Sequence, residues 1–251
     1  GMDVNAEEIA SFKPDYVVLK SYLTKSLGAQ LEALGIPVLY VDLENAEQYS
    51  RDLKAIGDII GDPERAAALV SYFEKHRESV IQKTSSLPPS ARPRVLFLYY
   101  NAKGGTNSFN VPPADWLQTL MFQWGGGTPV WIEGSAASGN TASGLTATGL
   151  PASGLAATGL PATGWTEVGF EQIAAWNPEY IFLVSYHAPV ADIKTALLAD
   201  SRWQQLDAVR EGKLLSFPGD YMSWDQPDPR WILGLNWILN TLHPDLLSDA
   251  D

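Results

Sequence analysis

The chain has 251 residues, with 17 Lys and Arg against 29 Asp and Glu, so its net charge is −12 at pH 7. This acidic balance argues against nucleic-acid binding, because a phosphate backbone needs Lys and Arg to displace its counterions. The absence of Cys excludes disulfides and thiolate metal sites, and the sequence has no apolar run long enough to predict a membrane-spanning helix.

The first stretch, NAEEIASFKPDYVVL (5–19), predicts a short helix followed by a buried strand. Asn5 can cap the helix, because its side-chain oxygen can accept an N–H of the first turn. Glu7 then lies at the positive end of the helix dipole. Pro14 disfavours the helical conformation of the residue before it, so we expect the helix to end there. The apolar run YVVL that follows is typical of a buried strand.

The stretch DPERAAALVSYFEKHRESVIQK predicts a long helix from Pro63 to about Lys83, with Asp62 as its N-cap. Residues 94–100, with the sequence RVLFLYY, predict a strand that opens the second half of the chain. Residues 115–127 predict a helix that ends at its three glycines. Together these elements continue an α/β pattern.

Small residues dominate an insertion at about 134–164, in which a segment of the form ASGLxATGLP occurs twice between 142 and 161. Such a segment offers few bulky side chains to offset the entropy lost on ordering. This composition favours a flexible surface insertion. The alternative is a loop that folds over a ligand or a partner.

The opening stretch has a second copy in GFEQIAAWNPEYIFL (169–183), where Glu171 matches Glu7. Each copy is followed by a helical stretch and another strand, so each predicts a strand–helix–strand unit with parallel strands. The expected fold class is α/β, with two lobes that each have a mainly parallel central sheet flanked by helices. One long spine helix joins the lobes, and a last helix of about a dozen residues is predicted from Arg230.

These motifs together resemble the periplasmic substrate-binding proteins that serve ABC importers for ferric siderophores, haem and vitamin B12. The N-lobe signature of that family, Asn-x-Glu-x-Ile before Lys-Pro-Asp and a strand, is matched by NAEEIASFKPDYVVL, and the C-lobe signature by FEQIAAWNPEYIF. Three further stretches fit the family: GDPERAAALVSYFEKH, SRWQQLDAVREGKLLSF and WDQPDPRWILGLNWILNTLHPDLL. In the family another strand–helix–strand unit precedes the first signature. We therefore expect either a truncated chain or an unusually small N-lobe.

The resemblance implies a monomeric binding protein that has no enzymatic activity and no cofactor. It also implies a periplasmic or extracellular location, with a membrane anchor in a segment before Gly1 as one option. The expected domains are an N-terminal lobe at 1–61, a linking helix at 62–86 and a C-terminal lobe at 94–251.

The function that the resemblance implies is capture of a metal chelate between the two lobes and its delivery to an ABC permease. The chelate would be a ferric siderophore, haem or cobalamin. In the family one Glu on each lobe docks into Arg pockets of the permease, and the matching positions here are Glu7 and Glu171. The alternative is that both carboxylates only stabilise the N-termini of their helices.

Ligands of α/β lobes bind at the carboxyl ends of the strands, so the residues that follow each strand are candidates for the binding site. These residues are rich in aromatic rings and poor in charge, as a large, partly apolar chelate would require. The candidates are Lys20, Tyr22, Tyr100 (with Tyr99 as its alternative), Asn101, Tyr186, His187, Tyr221 and Trp224. The alternative is that these residues are ordinary loop aromatics that cover strand ends.

Other functions remain open at this point. The three histidines, His76, His187 and His243, are too dispersed to predict a site for a bare metal ion, although an axial contact from His187 or a Tyr to haem iron or cobalt stays open. A hydrolase that uses carboxylates such as Asp220 and Asp225 is a second hypothesis, although the sequence has no phosphate-binding loop and no G-x-S-x-G motif. A two-lobed ligand sensor is a third.

Overall fold

The computed structural model describes residues 5–103, 106–132 and 164–247, and the small-residue repeat lies outside them. The chain divides into two compact units, residues 1–70 (unit 1) and 71–251 (unit 2), and each is described by itself. None of the helices in the described part of the chain has the length and apolar character that crossing a membrane requires.

Unit 1 contains two parallel strands, which confirms the first predicted strand–helix–strand unit. Strands β1 and β2 pair with Val17 beside Val38 and Lys20 beside Val41. A 3₁₀ turn (Ser21–Leu23) and a π-helical segment (Thr24–Gly28) lead from β1 into the connecting helix. The elements are α1 (Ala6–Ser11), β1 (Val17–Lys20), α2 (Ala29–Ala33), β2 (Val38–Val41) and α3 (Ala46–Ile60).

The helix at the start of unit 1 begins and ends as the sequence predicts. Asn5 Oδ1 accepts the backbone N–H of Glu7 at 2.9 Å, which caps α1. Lys13, the residue before the proline, adopts a left-handed conformation with φ 51°, and the chain then turns into β1. The second copy has the same left-handed residue before its proline, because Asn177 has φ 43° directly before Pro178. The two copies therefore share a backbone turn as well as a sequence.

Helix α4 (Pro63–Ser85) starts in unit 1 and continues into unit 2, which confirms the long helix predicted from Pro63 to about Lys83. Asp62 Oδ1 accepts the N–H of Arg65 at 3.1 Å and so acts as the predicted cap. The other helices of unit 2 are α5 (Leu117–Trp124), α6 (Phe170–Trp176), α7 (Val190–Ala199), α8 (Asp207–Arg210) and α9 (Trp231–Leu242).

The described strands of unit 2 form a mostly parallel sheet in the order β6–β4–β3–β7–β8, and β5 pairs with the first residues of β3. Strand β3 runs parallel to β7 and antiparallel to β4. Tyr99 lies beside Val184 and Leu183 lies beside Ser216, so the carboxyl ends of β7 and β8 meet beside Tyr99. The strands are β3 (Arg94–Lys103), β4 (Thr106–Val111), β5 (Thr128–Pro129), β6 (Thr166–Val168), β7 (Tyr180–Val184) and β8 (Leu214–Ser216).

Aromatic side chains pack helices on both faces of this sheet. On one face, Phe97 and Phe182 both contact Phe122 of α5, at ring-centroid distances of 5.6 and 4.8 Å. On the other face, Phe109 lies 5.1 Å from Trp203. Residues 95 to 98 of β3 are fully buried between the two layers. The central strands are therefore held rigidly, and the residues that follow them have fixed positions.

Candidate functional site

Five aromatic side chains of unit 2 gather where the carboxyl end of β7 meets the middle of β3, at Tyr99. Trp165 lies at their centre, with its ring centroid 6.2 Å from Phe97, 5.1 Å from Tyr99, 5.8 Å from Trp116 and 6.4 Å from Tyr186. Tyr99 and Tyr186 are themselves 4.6 Å apart. We call these five residues the aromatic cluster. Tilted and edge-to-face pairs of this kind stabilise one another by about 0.5 to 1.5 kcal/mol each.

The alternation of side chains along β3 explains which residues join the aromatic cluster. Phe97 and Tyr99 are two positions apart, so they lie on the same face of the sheet. Tyr100 points to the opposite face, where its ring lies 5.5 Å from Phe109. Tyr186 follows β7 by two residues, and β7 pairs with β3 at the level of Tyr99. The sheet register therefore brings Tyr99 and Tyr186 together.

A buried carboxylate holds the phenol of Tyr186. The Tyr186 hydroxyl donates to Asp225 Oδ2 at 2.5 Å, and Gln226 Nε2 donates to the same oxygen at 3.4 Å. Asp225 is 0% exposed. Burial raises the pKa of the Asp225 carboxyl. Burial, followed by the nearby Asp225 carboxylate, raises the pKa of Tyr186 well above its ordinary value, so the phenol keeps its proton.

Asp225 belongs to a tight loop, residues 217–230, that follows β8. The N–H of Phe217 donates to Leu183 O at 2.8 Å, and the N–H of Trp224 donates back to Pro218 O at 3.0 Å. The loop is thereby folded on itself before it reaches Asp225. Its tip carries Tyr221, which is 90% exposed.

Charged residues fix the far side of the same loop. Arg230 forms ion pairs with Asp228 and, at 2.9 Å, with Asp220. These carboxylates, Asp228 first, raise the pKa of Arg230. Asp220 is thus exposed and pairs with Arg230, whereas Asp225 is buried against Tyr186. Because the two carboxylates serve different partners, their arrangement does not favour the hydrolase hypothesis.

Several buried polar atoms on β3 and on the loop after β8 have no hydrogen-bond partner within the described residues, among them Trp224 Nε1, Asn101 Oδ1 and Asp225 Oδ1. Asn101 follows Tyr99 by two residues on β3 and so lies on the same face. An unpaired buried polar group costs about 1 to 3 kcal/mol. The donor on Trp224 and the acceptors on Asn101 and Asp225 are therefore candidates to bind a polar group of a ligand.

In unit 1, the candidate Lys20 at the end of β1 is already paired. Its Nζ donates to Asp42 O and to Glu44 Oε1, the latter at 2.6 Å. The turn after β2 that supplies these acceptors is held by Asp52, whose Oδ2 accepts the N–H of Asp42 at 2.7 Å and of Leu43 at 3.0 Å. Lys20 therefore stabilises the turn after β2.

The three histidines have different surroundings. The His76 ring lies 5.0 Å from the ring of Tyr72, His243 Nε2 lies 3.1 Å from Gly126 O, and His187 is exposed. Among the residues that the structure describes, no group of three or more His, Asp or Glu side chains could hold a metal ion.

Comparison with known proteins places this architecture in a family. Residues 1–221 match the sequence profile of the periplasmic binding protein family. The chain belongs to the periplasmic binding protein family. Its resemblance to periplasmic substrate-binding proteins is thereby confirmed, and so is the α/β fold class.

A stretch of 82 residues is 30% identical to molybdate-binding protein MolA of Haemophilus influenzae and covers 32% of this chain and 22% of that protein. The structure of MolA bound to molybdate superposes with a TM-score of 0.74 at 19% identity, over 99% of this chain and 71% of that one. A periplasmic solute-binding protein of Veillonella parvula gives a TM-score of 0.69 at 26% identity and covers 98% and 65%. A periplasmic heme-binding protein of Pseudomonas aeruginosa gives 0.67 at 20% identity and covers 96% and 76%.

The sequence candidates of this periplasmic binding protein have different surroundings in unit 2. Tyr186 belongs to the aromatic cluster, while Asn101 and Trp224 carry the unpaired polar atoms. Tyr100 lies on the opposite face of the sheet, and His187 and Tyr221 are exposed. In unit 1, Tyr22 is 78% exposed. The role of each residue in ligand binding stays a prediction.

Three further residues of the site were not among the sequence candidates: Trp116, Trp165 and Phe97. Trp116 precedes helix α5, and Trp165 follows the small-residue insertion. Neither follows a predicted strand, so the strand-end argument does not reach them. A Trp in a stretch of otherwise small or polar residues is the signal that could have identified both.

The two predicted docking residues of this periplasmic binding protein have equivalent local positions. Glu7 and Glu171 are each the second residue of a helix, α1 and α6, and both side chains are exposed. Glu171 interacts electrostatically with Arg202, whose pKa is raised first by Asp200 and then by Glu171. Both carboxylates lie on the surface of their own unit.

Proposed function

We propose that this chain is the solute-binding component of an ABC import system and acts as a monomer in the periplasm or outside the cell. Its membership of the periplasmic binding protein family supports this proposal. In this function the protein captures a solute and passes it to a membrane permease. It carries out no chemistry on the solute.

The proposed solute is an iron or cobalt chelate, namely a ferric siderophore, haem or cobalamin. The observation that carries this proposal is the aromatic cluster around Trp165. Aromatic ring faces suit the conjugated and partly apolar surface of such a chelate, which a small inorganic ion lacks. The heme-binding protein of Pseudomonas aeruginosa, which has the same fold, is consistent with it.

Molybdate is the second candidate solute, because MolA of Haemophilus influenzae shares both sequence and fold with this chain. Trp224 Nε1 is an unpaired buried donor that an oxyanion could use. The buried carboxyl of Asp225, on the next residue, disfavours a compact dianion when it is ionised. The aromatic cluster together with this carboxyl therefore favours the chelate.

Calorimetric titration against a panel tests this proposal. The panel contains haemin, a ferric catecholate, a ferric hydroxamate, cobalamin and molybdate. We expect sub-micromolar binding of one chelate class and no heat from molybdate. Binding of molybdate alone would overturn the chelate assignment, and binding of no panel member would contradict solute capture by this chain.

The exposed carboxylates of Glu7 and Glu171 are the proposed contacts with the permease. A carboxylate in the first turn of a helix stays ionised beside the helix dipole and can accept a bidentate hydrogen bond from Arg. A permease built from two like subunits would need one such contact on each unit of a monomeric partner. The repeated sequence motif places one such carboxylate on each unit, Glu7 on unit 1 and Glu171 on unit 2.

A further inference from the structure

The phenol of Tyr186 could serve a bound chelate in two ways. As a phenolate, its oxygen could bind an iron ion, as Tyr does in some haem proteins. As a neutral phenol, its ring could contact the ligand while its oxygen bonds to the protein. The surroundings of the oxygen distinguish between these roles.

The Tyr186 oxygen is already bound within the protein. It lies 2.5 Å from Asp225 Oδ2, at the short end of the range for hydrogen bonds between two oxygens. The proton belongs to Tyr186, because a phenol is ordinarily a far weaker acid than a carboxyl, and burial raises the pKa of Tyr186 as well as that of Asp225. Asp225 is completely buried, so water does not compete for this bond.

We propose that Asp225 is a positioning residue, which fixes Tyr186 as a ring-face contact and withholds its oxygen from any metal in the ligand. This inference rests on the proposed function and narrows it. A phenolate at this position would lie beside the Asp225 carboxylate in a buried site, and two like charges there disfavour ionisation. Burial and Asp225 raise the pKa of Tyr186 in agreement with this, and Tyr99 adds to the rise while Gln226 opposes it.

The hydrogen bond also determines where the ring of Tyr186 lies. With its oxygen held by Asp225, the ring lies 4.6 Å from Tyr99, with an angle of 31° between the two ring planes. Asp225 is itself fixed by the loop after β8, in which Trp224 N–H donates to Pro218 O. The loop after β8 thus fixes the position of the Tyr186 ring in the aromatic cluster through the carboxylate of Asp225.

This arrangement favours ligands whose metal needs no oxygen from Tyr186. A ferric siderophore and cobalamin both enclose their metal in their own ligands. Haem would need an axial group other than Tyr186. The hydrogen bond between Tyr186 and Asp225 therefore distinguishes ferric siderophores and cobalamin, which need no oxygen from Tyr186, from haem, which would need another axial group.

The test is nuclear magnetic resonance of tyrosine labelled with ¹³C at Cζ, with no ligand present. Y186F assigns the Tyr186 signal. We expect that signal to stay protonated above about pH 10, where a free tyrosine ionises, and D225N to lower its midpoint by at least one pH unit. D228N is the matched control, because Asp228 lies on the same loop but pairs with Arg230.

Ionisation of Tyr186 at about pH 10, as in free tyrosine, would overturn the proposal, and so would an unchanged midpoint in D225N. The wild-type titration decides the matter alone if D225N does not fold. Because the measurement needs no ligand, its failure is separate from failure of the proposed function. Absorption spectra with haemin give a second readout: we expect wild type and Y186F to coincide, and a phenolate–iron band that disappears in Y186F would overturn the proposal.

Discussion

Gly234 of helix α9 lies directly against the backbone of Trp224, so that a Cβ atom at Gly234 would be 2.5 Å from the Trp224 carbonyl oxygen. No side chain larger than hydrogen fits without moving the loop or the helix. This contact holds loop 217–230 against α9, and the loop carries Asp225 to Tyr186. Gly234 therefore allows the loop that carries Asp225 to pack directly against α9.

We expect G234A to displace the loop and to lower the free energy of unfolding by about 1 to 3 kcal/mol, as overpacking commonly does. Thermal unfolding and the ¹³C signal of Tyr186 measure the two effects. L233A is the matched control, because Leu233 is the preceding residue and is 41% exposed. Equal stability of G234A and wild type would contradict the close contact.

The stability of the protein at alkaline pH should report the raised pKa of the Tyr186 phenol. The pKa of Tyr186 is raised in the folded chain, whereas an unfolded chain releases this proton at about pH 10. Above that pH the unfolded state binds fewer protons than the folded state, so stability falls by up to about 1.4 kcal/mol per pH unit from this group until the folded pKa is reached.

We therefore expect Y186F to lose stability less steeply than wild type above about pH 10. Urea unfolding at stepped pH values measures the slopes. Y221F is the control, because it removes the hydroxyl of an exposed tyrosine on the same loop. Parallel slopes for Y186F and wild type would show that the phenol ionises normally in the fold.

Asp52 should be the side chain on which the turn after β2 depends. It is buried and accepts the N–H groups of Asp42 and Leu43, and Arg51 Nε donates to its other oxygen at 2.7 Å. D52A leaves two buried N–H groups unpaired, so we expect a loss of about 2 to 4 kcal/mol in unit 1.

Hydrogen exchange at the amides of Asp42 and Leu43 reports this loss locally, and we expect it to accelerate in D52A. The exposed Asp58 of the same helix supplies the control D58A, which should stay within about 0.5 kcal/mol of wild type. Unchanged exchange at both amides in D52A would show that other groups hold the turn.

Reversal of charge at Glu7 and Glu171 should weaken docking without changing solute affinity. We expect the double variant E7R/E171R to lose at least tenfold in affinity for the proposed permease in lipid nanodiscs, since each of the proposed Arg pockets would then face a positive charge.

Glu47 and Asp192 offer a matched control for that variant. Both are exposed carboxylates in the first turn of a helix, and Glu47 follows an Asn cap just as Glu7 does. E47R/D192R should dock like wild type. Equal loss in both double variants would show that overall charge, rather than these two positions, governs docking.

The fold could be predicted from local sequence where a pattern has a single structural outcome. The residue before each proline cannot continue a helix, so both helix–turn–strand units follow from 15 residues each. Helix α3 and strand β4 were not predicted. The Asn45 cap could have indicated α3, but residues 106–111 have few apolar residues and form a strand because they pair with β3.

The candidate site was less predictable, because its contacts are tertiary. Tyr186 could be selected by its place after a strand, and the structure puts it in the aromatic cluster. Whether Tyr99 or Tyr100 joined it depended on which face of β3 turned towards α5, and two adjacent Tyr residues give no indication of this. Asp225 was considered as a hydrolytic carboxylate, but only the folded loop reveals its bond to Tyr186.

Solute capture by the aromatic cluster should depend most on Trp165, which contacts every other member of the cluster. The most direct measurement is calorimetric titration of wild type, W165L and the control W176L with the chelate that binds best. Trp176 lies at the end of α6 and is not part of the cluster. We predict at least a tenfold loss of affinity in W165L and none in W176L. Equal affinity in all three proteins would contradict solute capture by the aromatic cluster.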